Sequence, residues 1–368
     1  MILSAAINMI SATSRSRLAI GRLPILAIII FTLVSGHAAL AMDAKPFEDW
    51  PALLSAASKG RLAALEERLA QGDNINLRDR DGGTALMYAA RYGHANAVTM
   101  LLSRKADVNA RDREQTTALM WGARSGYVSV IQALLKQGAD ATALDIRGNA
   151  ALHWAVRRQF AEVALALIAG GANPDQKDEH GYTALVLAVQ RNQTPLALRL
   201  LELGADSNVR DKQGHPALWH ALRRGNVDLA DRFIDKLRTP QLLDTDGLTL
   251  LHTAAALGNI KAVSALLSRG SDPASRSKQG NTPLMLAAEN GHTEIVKLFL
   301  DRNMPIDERN EHGNTALHLS GESGQAAVVR QLLAAGSDPA IINKRGETAL
   351  QTARRERRTS VIPLLQSN

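Results

Sequence analysis

The sequence predicts an all-α solenoid of helix-turn-helix units, and three observations carry that prediction. A step of 33 residues runs through the chain without insertion or deletion. A fixed period of that length marks a repeat array. One slot of the step always holds leucine: Leu53, Leu86, Leu119, Leu152, Leu185, Leu218, Leu251, Leu284, Leu317 and Leu350. The slot two places earlier reads Pro51, Thr84, Thr117, Ala150, Thr183, Pro216, Thr249, Thr282, Thr315 and Thr348. Threonine there is placed to cap the first turn of a helix.

Each unit justifies its elements in the same order. Gly82, Gly148, Gly181, Gly214, Gly247, Gly280, Gly313 and Gly346 supply the backbone freedom of a turn. A first helix follows, and small pairs such as Ala89-Ala90 and Ala287-Ala288 let helices of adjacent units approach. Gly93, Gly126, Gly225, Gly258, Gly291 and Gly324 then sit in a left-handed cap slot. Gln159 and Asn192 replace that glycine; asparagine tolerates the left-handed region, so Gln159 is expected to be strained or to change its turn. A second helix carries paired leucines such as Leu101-Leu102 and Leu134-Leu135. Asp79, Asp112, Asp145, Asp178, Asp211 and Asp244 precede the next turn.

Thr-Pro-Leu-Met at 282–285, Thr-Ala-Leu-His at 315–318, and the Gly-Ala-Asp closures at 138–140 and 204–206 resemble the ankyrin repeat. The resemblance covers residues 48–368. It implies an ankyrin-repeat α-solenoid, its helical pairs joined by β-turn or hairpin loops. The units are 48–80, 81–113, 114–146, 147–179, 180–212, 213–245, 246–278, 279–311, 312–344 and a shortened cap, 345–368. The ends depart from the pattern, as caps must. The last unit carries the basic run Arg354-Arg355-Glu356-Arg357-Arg358, read as a solubilising cap. At 237–243, Leu-Arg-Thr-Pro-Gln-Leu-Leu replaces the usual closure, and Pro240 removes a backbone donor between units six and seven.

Ahead of the array, residues 1–41 read as a Sec-type signal peptide. Arg15, Arg17 and Arg22 precede the apolar run 23–34, and Ala39-Leu40-Ala41 fits a cleavage site after Ala41. An apolar run of 12 residues falls short of the ~20 of a membrane span. An uncleaved N-terminal anchor is the competing reading. Residues 42–47 read as a linker. The expected location is periplasmic or secreted, with no stable membrane association after cleavage.

Composition narrows the chemistry. The chain has no cysteine, which excludes disulfides and thiolate sites. Without the leader it holds 40 basic and 36 acidic side chains, a balance of only +4, so nucleic acid is not the expected partner. No HExxH pattern, phosphate loop or nucleophile elbow occurs. His153, His252 and His318 fall where the resemblance implies a structural imidazole. A non-enzymatic protein without cofactor or metal is expected.

The resemblance further implies that the eighth, eleventh and twelfth slots of the first helix face a concave groove. Tyr88, Trp121, Trp154 and His220 hold the eighth slot. Arg91, Arg124, Arg157 and Arg223 hold the eleventh, and Tyr92, Arg158, Arg191 and Arg224 the twelfth. Tyrosine, tryptophan and arginine anchor interfaces, and arginine grips carboxylates in bidentate fashion. Packing of the rings on the adjacent unit, with the arginines serving solubility, is the rival account. The expectation is a monomeric scaffold that binds a protein with acidic and apolar features across units two to six. Two alternatives are a secreted effector engaging host proteins and a periplasmic partner supporting catalase in peroxide defence.

Overall fold

The computed structural model describes residues 51–366. The leader and linker, with the proposed cleavage site, lie outside the described residues. Those described form helical pairs from Ala52–Ser58 through to Ile362–Gln366, joined by turns and without a strand. First helices span seven or eight residues, as in Ala85–Arg91 and Ala118–Ser125, and second helices about nine, as in Val128–Lys136.

The period dictates the core. The leucine slot is at most 3% exposed from Leu53 to Leu317, and Leu350, in the shortened unit 345–368, is half-buried. The second helices supply a matching column of Leu101, Leu134, Leu167, Leu200, Phe233, Leu266, Phe299 and Leu332, all at 0–1%. First helix packs on first helix and second on second along the stack.

The threonine caps form as the sequence requires. Thr84, Thr117, Thr183, Thr249, Thr282, Thr315 and Thr348 each accept the backbone N–H three residues on. Ala150 has no such oxygen, and its own N–H instead donates to His153 Nδ1 at 3.0 Å. Each turn tip then donates one backbone bond to the tip before it, such as Arg113 N to Asp81 O at 2.9 Å. The bond survives between units six and seven, from Thr245 N to Gln213 O at 2.9 Å. There the closure differs in detail: Gly204 and Gly270 are left-handed, but the corresponding Leu237 is not, and it buries its side chain.

The capping glycines have two reasons to be glycine. Gly93 and Gly126 have positive φ, and a Cβ on either would meet Tyr127 or Phe160 of the next unit at under 3 Å. Gln159 adopts the left-handed conformation at φ 65°, the strained outcome of the two that the sequence allowed. Gln115, in a turn slot usually held by glycine, does the same at φ 60°. The left-handed region costs a non-glycine residue about 1–2 kcal/mol, against glycine's larger chain entropy. Gln159→Gly is therefore expected to raise stability by about 0.5–1 kcal/mol. A urea titration showing an unchanged or lower midpoint would contradict it.

The recurring histidines are structural. His252 and His318 are 0–1% exposed, and their Nδ1 atoms lie against the capping threonines. Their Nε2 atoms bond Asn281 O and Glu347 O of the next unit at 2.9 and 3.0 Å. His153 Nε2 reaches Gln176 O of its own unit at 3.0 Å and Tyr182 O of the next at 3.2 Å. Burial pushes all three imidazoles below their ordinary 6.5. The unfolded chain therefore takes up these protons first, and stability is lost as pH falls below 6.5. The urea midpoint should fall between about pH 7.5 and pH 5.5. A flat midpoint across that window would mean the three rings titrate alike in both states.

Candidate protein-binding surface

The surface is built on the aspartate that precedes each turn. Its Oδ1 closes the turn by accepting two backbone N–H groups: Asp112 from Glu114 and Thr116, Asp145 from Arg147 and Asn149, Asp211 from Gln213 and His215. That leaves Oδ2 in need of a donor, and the eighth slot, nine residues on, provides one. Trp121 Nε1 donates to Asp112 at 3.2 Å and Trp154 Nε1 to Asp145 at 3.0 Å. Tyr88 Oη donates to Asp79. Burial, together with that carboxylate, pushes the Tyr88 phenol above its ordinary 10.0. His220 Nδ1 accepts from the Gln190 amide, so its Nε2 donates to Asp211 at 3.0 Å.

Unit five breaks the pattern because Leu187 has no proton to give. Asp178 is there satisfied by Arg157 of the preceding unit instead. The Asp178 side chain is fully buried and that of Arg157 is 25% exposed. The eleventh-slot cation is thus withdrawn into an ion pair, and Arg158 becomes the outward cation of that unit.

The remaining cations form a row. Arg91 lies over the Trp121 ring at 4.6 Å from its centroid, and Arg124 over the same ring at 5.2 Å. Arg124 also lies over Trp154 at 5.0 Å, and Arg91 over Tyr92 at 5.6 Å. Such stacking is worth about 0.5–1 kcal/mol at exposed sites. Burial lowers the pKa of Arg124, and the like charges of Arg158, Arg91 and Arg147 lower it further. Burial does the same to Arg191, with Arg157, Arg158 and Arg224 adding to it. The guanidinium groups stay protonated. Like charges thus neighbour one another along the stack.

The predicted residues therefore separate into three roles. Tyr88, Trp121 and Trp154 are half-buried posts whose polar tips are committed to loop carboxylates. His220 corrects the expectation of an exposed contact, since it is 5% exposed and held on both nitrogens. Arg157 is likewise corrected: it is tied to Asp178. Arg91, Arg124 and Arg158 are half-buried, Arg191, Arg223 and Arg224 are exposed, and none pairs with a carboxylate among the described residues. Tyr92 is half-buried beside Arg91.

Two features escaped the sequence reading. Trp219 stacks on His215 at 3.6 Å and 9°, and carries Arg223 over its ring at 5.0 Å. It stands one place before the eighth slot, which is the only signal of it. The second is the anchor itself. After Asp244 the anchor slot reads Ser277, Asn310 and Asn343. The asparagines close their turns with Oδ1 and donate Nδ2 to Asn281 and Asn314, at 2.8 and 2.9 Å. The rings end first: Asp244 still anchors its turn where the eighth slot has become Thr253, its Oδ2 met by His215 Nε2 at 3.2 Å, and from Ser277 onward both carboxylate and ring are gone.

Elsewhere, basic residues of the turns are spent on structure. Arg111, Lys177, Arg210 and Arg309 each donate to a backbone carbonyl 33 residues on. Among the described residues no cluster of three or more metal-ligating side chains occurs, and no helix is long and apolar enough to cross a membrane.

Helical pairs stacked at a fixed step of 33 residues define an all-α repeat solenoid. The family model for ankyrin repeats, in three copies, matches residues 53–145, 119–211, 185–277 and 269–343. The chain belongs to the ankyrin-repeat family. Ankyrin repeats are generally protein–protein interaction modules, and the family is typically non-enzymatic. No curated protein matches the chain.

Proposed function

We propose that the chain is an exported, monomeric scaffold that holds an acidic, partly apolar protein on the first-helix face of units two to six. The observation that carries this reading is the contrast between two sets of basic residues. Arg111, Lys177, Arg210 and Arg309 of the turns spend hydrogen bonds on backbone carbonyls of the next unit, whereas Arg91, Arg124, Arg158, Arg191 and Arg224 pair with no carboxylate among the described residues. A row of like charges held together by the fold is relieved by a ligand carrying the opposite charge. The preformed stack loses little entropy on docking. The leader supports a periplasmic destination, tested by finding Met42 as the N-terminus of the periplasmic form.

The test is affinity capture from a periplasmic extract with the intact chain and with Arg124→Glu/Arg191→Glu. Both positions lie outside the core, so the circular dichroism spectrum should not change. The main captured protein should disappear from the variant. Equal capture by both would remove the row from the binding surface.

A further inference from the structure

The row has a regular spacing, and that spacing selects the shape of what it binds. Units two to six each present at least one guanidinium free of ion pairs among the described residues: Arg91, Arg124, Arg158, Arg191, and Arg223 with Arg224. They stand at the ends of consecutive first helices that pack directly on one another. Packed helices lie about 8–10 Å apart. An extended chain of polyproline-II type advances about 3.1 Å per residue with three residues per turn, so every third side chain returns to the same face. One step along the row therefore equals about three residues, one turn, of such a ligand.

Resting on the reading of this face as the docking surface, we propose that the element recognised is an extended acidic segment of the partner. It carries a carboxylate at about every third residue over roughly 13 residues, in register with the units. The donors available to it are guanidinium groups, because the Tyr88, Trp121 and Trp154 tips are bound to Asp79, Asp112 and Asp145. The rings leave less for a nucleobase, since two guanidinium groups already cover Trp121 and one covers Trp154. Base stacking needs open faces; carboxylates need only the outward N–H groups. Residues between the acids would lie against the half-buried ring edges, which suits apolar side chains.

The test uses two fluorescein-labelled peptides of the same composition and about 13 residues. One has glutamate at every third position, with leucine and serine between; the other has its glutamates in one block. Anisotropy titrations are run with the full chain, with Arg124→Glu/Arg191→Glu, and with oligothymidine as competitor. The spaced peptide should bind about tenfold tighter than the block isomer, which can reach only part of the row at once. The double variant should lose that preference.

Equal affinity for both peptides, or no binding of either, overturns the extended segment. Stronger binding of oligothymidine than of the spaced peptide also overturns it. If the peptides fail but the extract partner is still lost on Arg124→Glu/Arg191→Glu, the docking face stands and only the linear register falls. If the double variant keeps both the peptide and the extract partner, the face itself is wrong.

Discussion

Asp178→Ala is expected to cost about 3–5 kcal/mol of folding stability. The substitution removes the partner of Arg157 where the carboxylate is fully buried and the guanidinium 25% exposed. It also removes the acceptor for His180 N and Tyr182 N, both at 2.8–2.9 Å. An unpaired charge in that position is costly, because the desolvation already incurred loses its compensation. The Arg157 Nε has no partner even in the intact fold, so little remains to hold the side chain once Asp178 is gone. Asp178→Asn keeps the turn acceptor and should cost less. Adding Arg157→Met to Asp178→Asn should recover most of the loss, since an apolar pair of similar volume can replace a buried ion pair. Urea denaturation reads all three, and a loss below about 1 kcal/mol for Asp178→Ala would show the ion pair to be structurally idle.

Leu119→Ala is expected to cost about 2–5 kcal/mol, through lost transfer energy and the cavity left behind. Leu119 is 1% exposed, and its neighbours along the column, Leu86 and Leu152, are 2% and 1% exposed. Close-packed interiors relax only in part around a deleted side chain, so the cavity is not fully filled. In a stack where each unit contacts only its neighbours, the penalty falls on unit three and its two interfaces. Hydrogen exchange should therefore accelerate across 81–179 first, ahead of the units beyond. Uniform acceleration along the whole chain would mean the stack opens as one body.

These two substitutions bracket what the sequence could show. Leu119 was legible because burial follows the period: a leucine in every unit can only be a core column. The threonine caps and the left-handed glycines followed from the same step, since each needs a local bond or a local φ and nothing distant. The role of Asp178 was not legible. Its partner, Arg157, stands 21 residues back on the first helix of unit four, whereas the turn that Asp178 closes opens unit five. The exchange occurs only because position 187 is leucine rather than a ring with an N–H. The sequence placed Arg157 and His220 beside their neighbours in the right slots. It could not tell a cation spent on a buried carboxylate from one left outward, because that depends on hydrogen-bond valence across units. The fourth aromatic partner, Trp219, was missed for a related reason, since it sits one slot off the repeat register.

The change of anchor residue divides the molecule by more than charge. A carboxylate has only acceptors and obliges its own stack to supply protons, which fixes what can stand above it. A carboxamide brings both, and Asn310 and Asn343 clasp Asn281 and Asn314 without drawing on any groove side chain. Those turns close on themselves, so the first helices beside them are under no demand to supply a proton, and Leu286 and Leu319 leave no acceptor unmet.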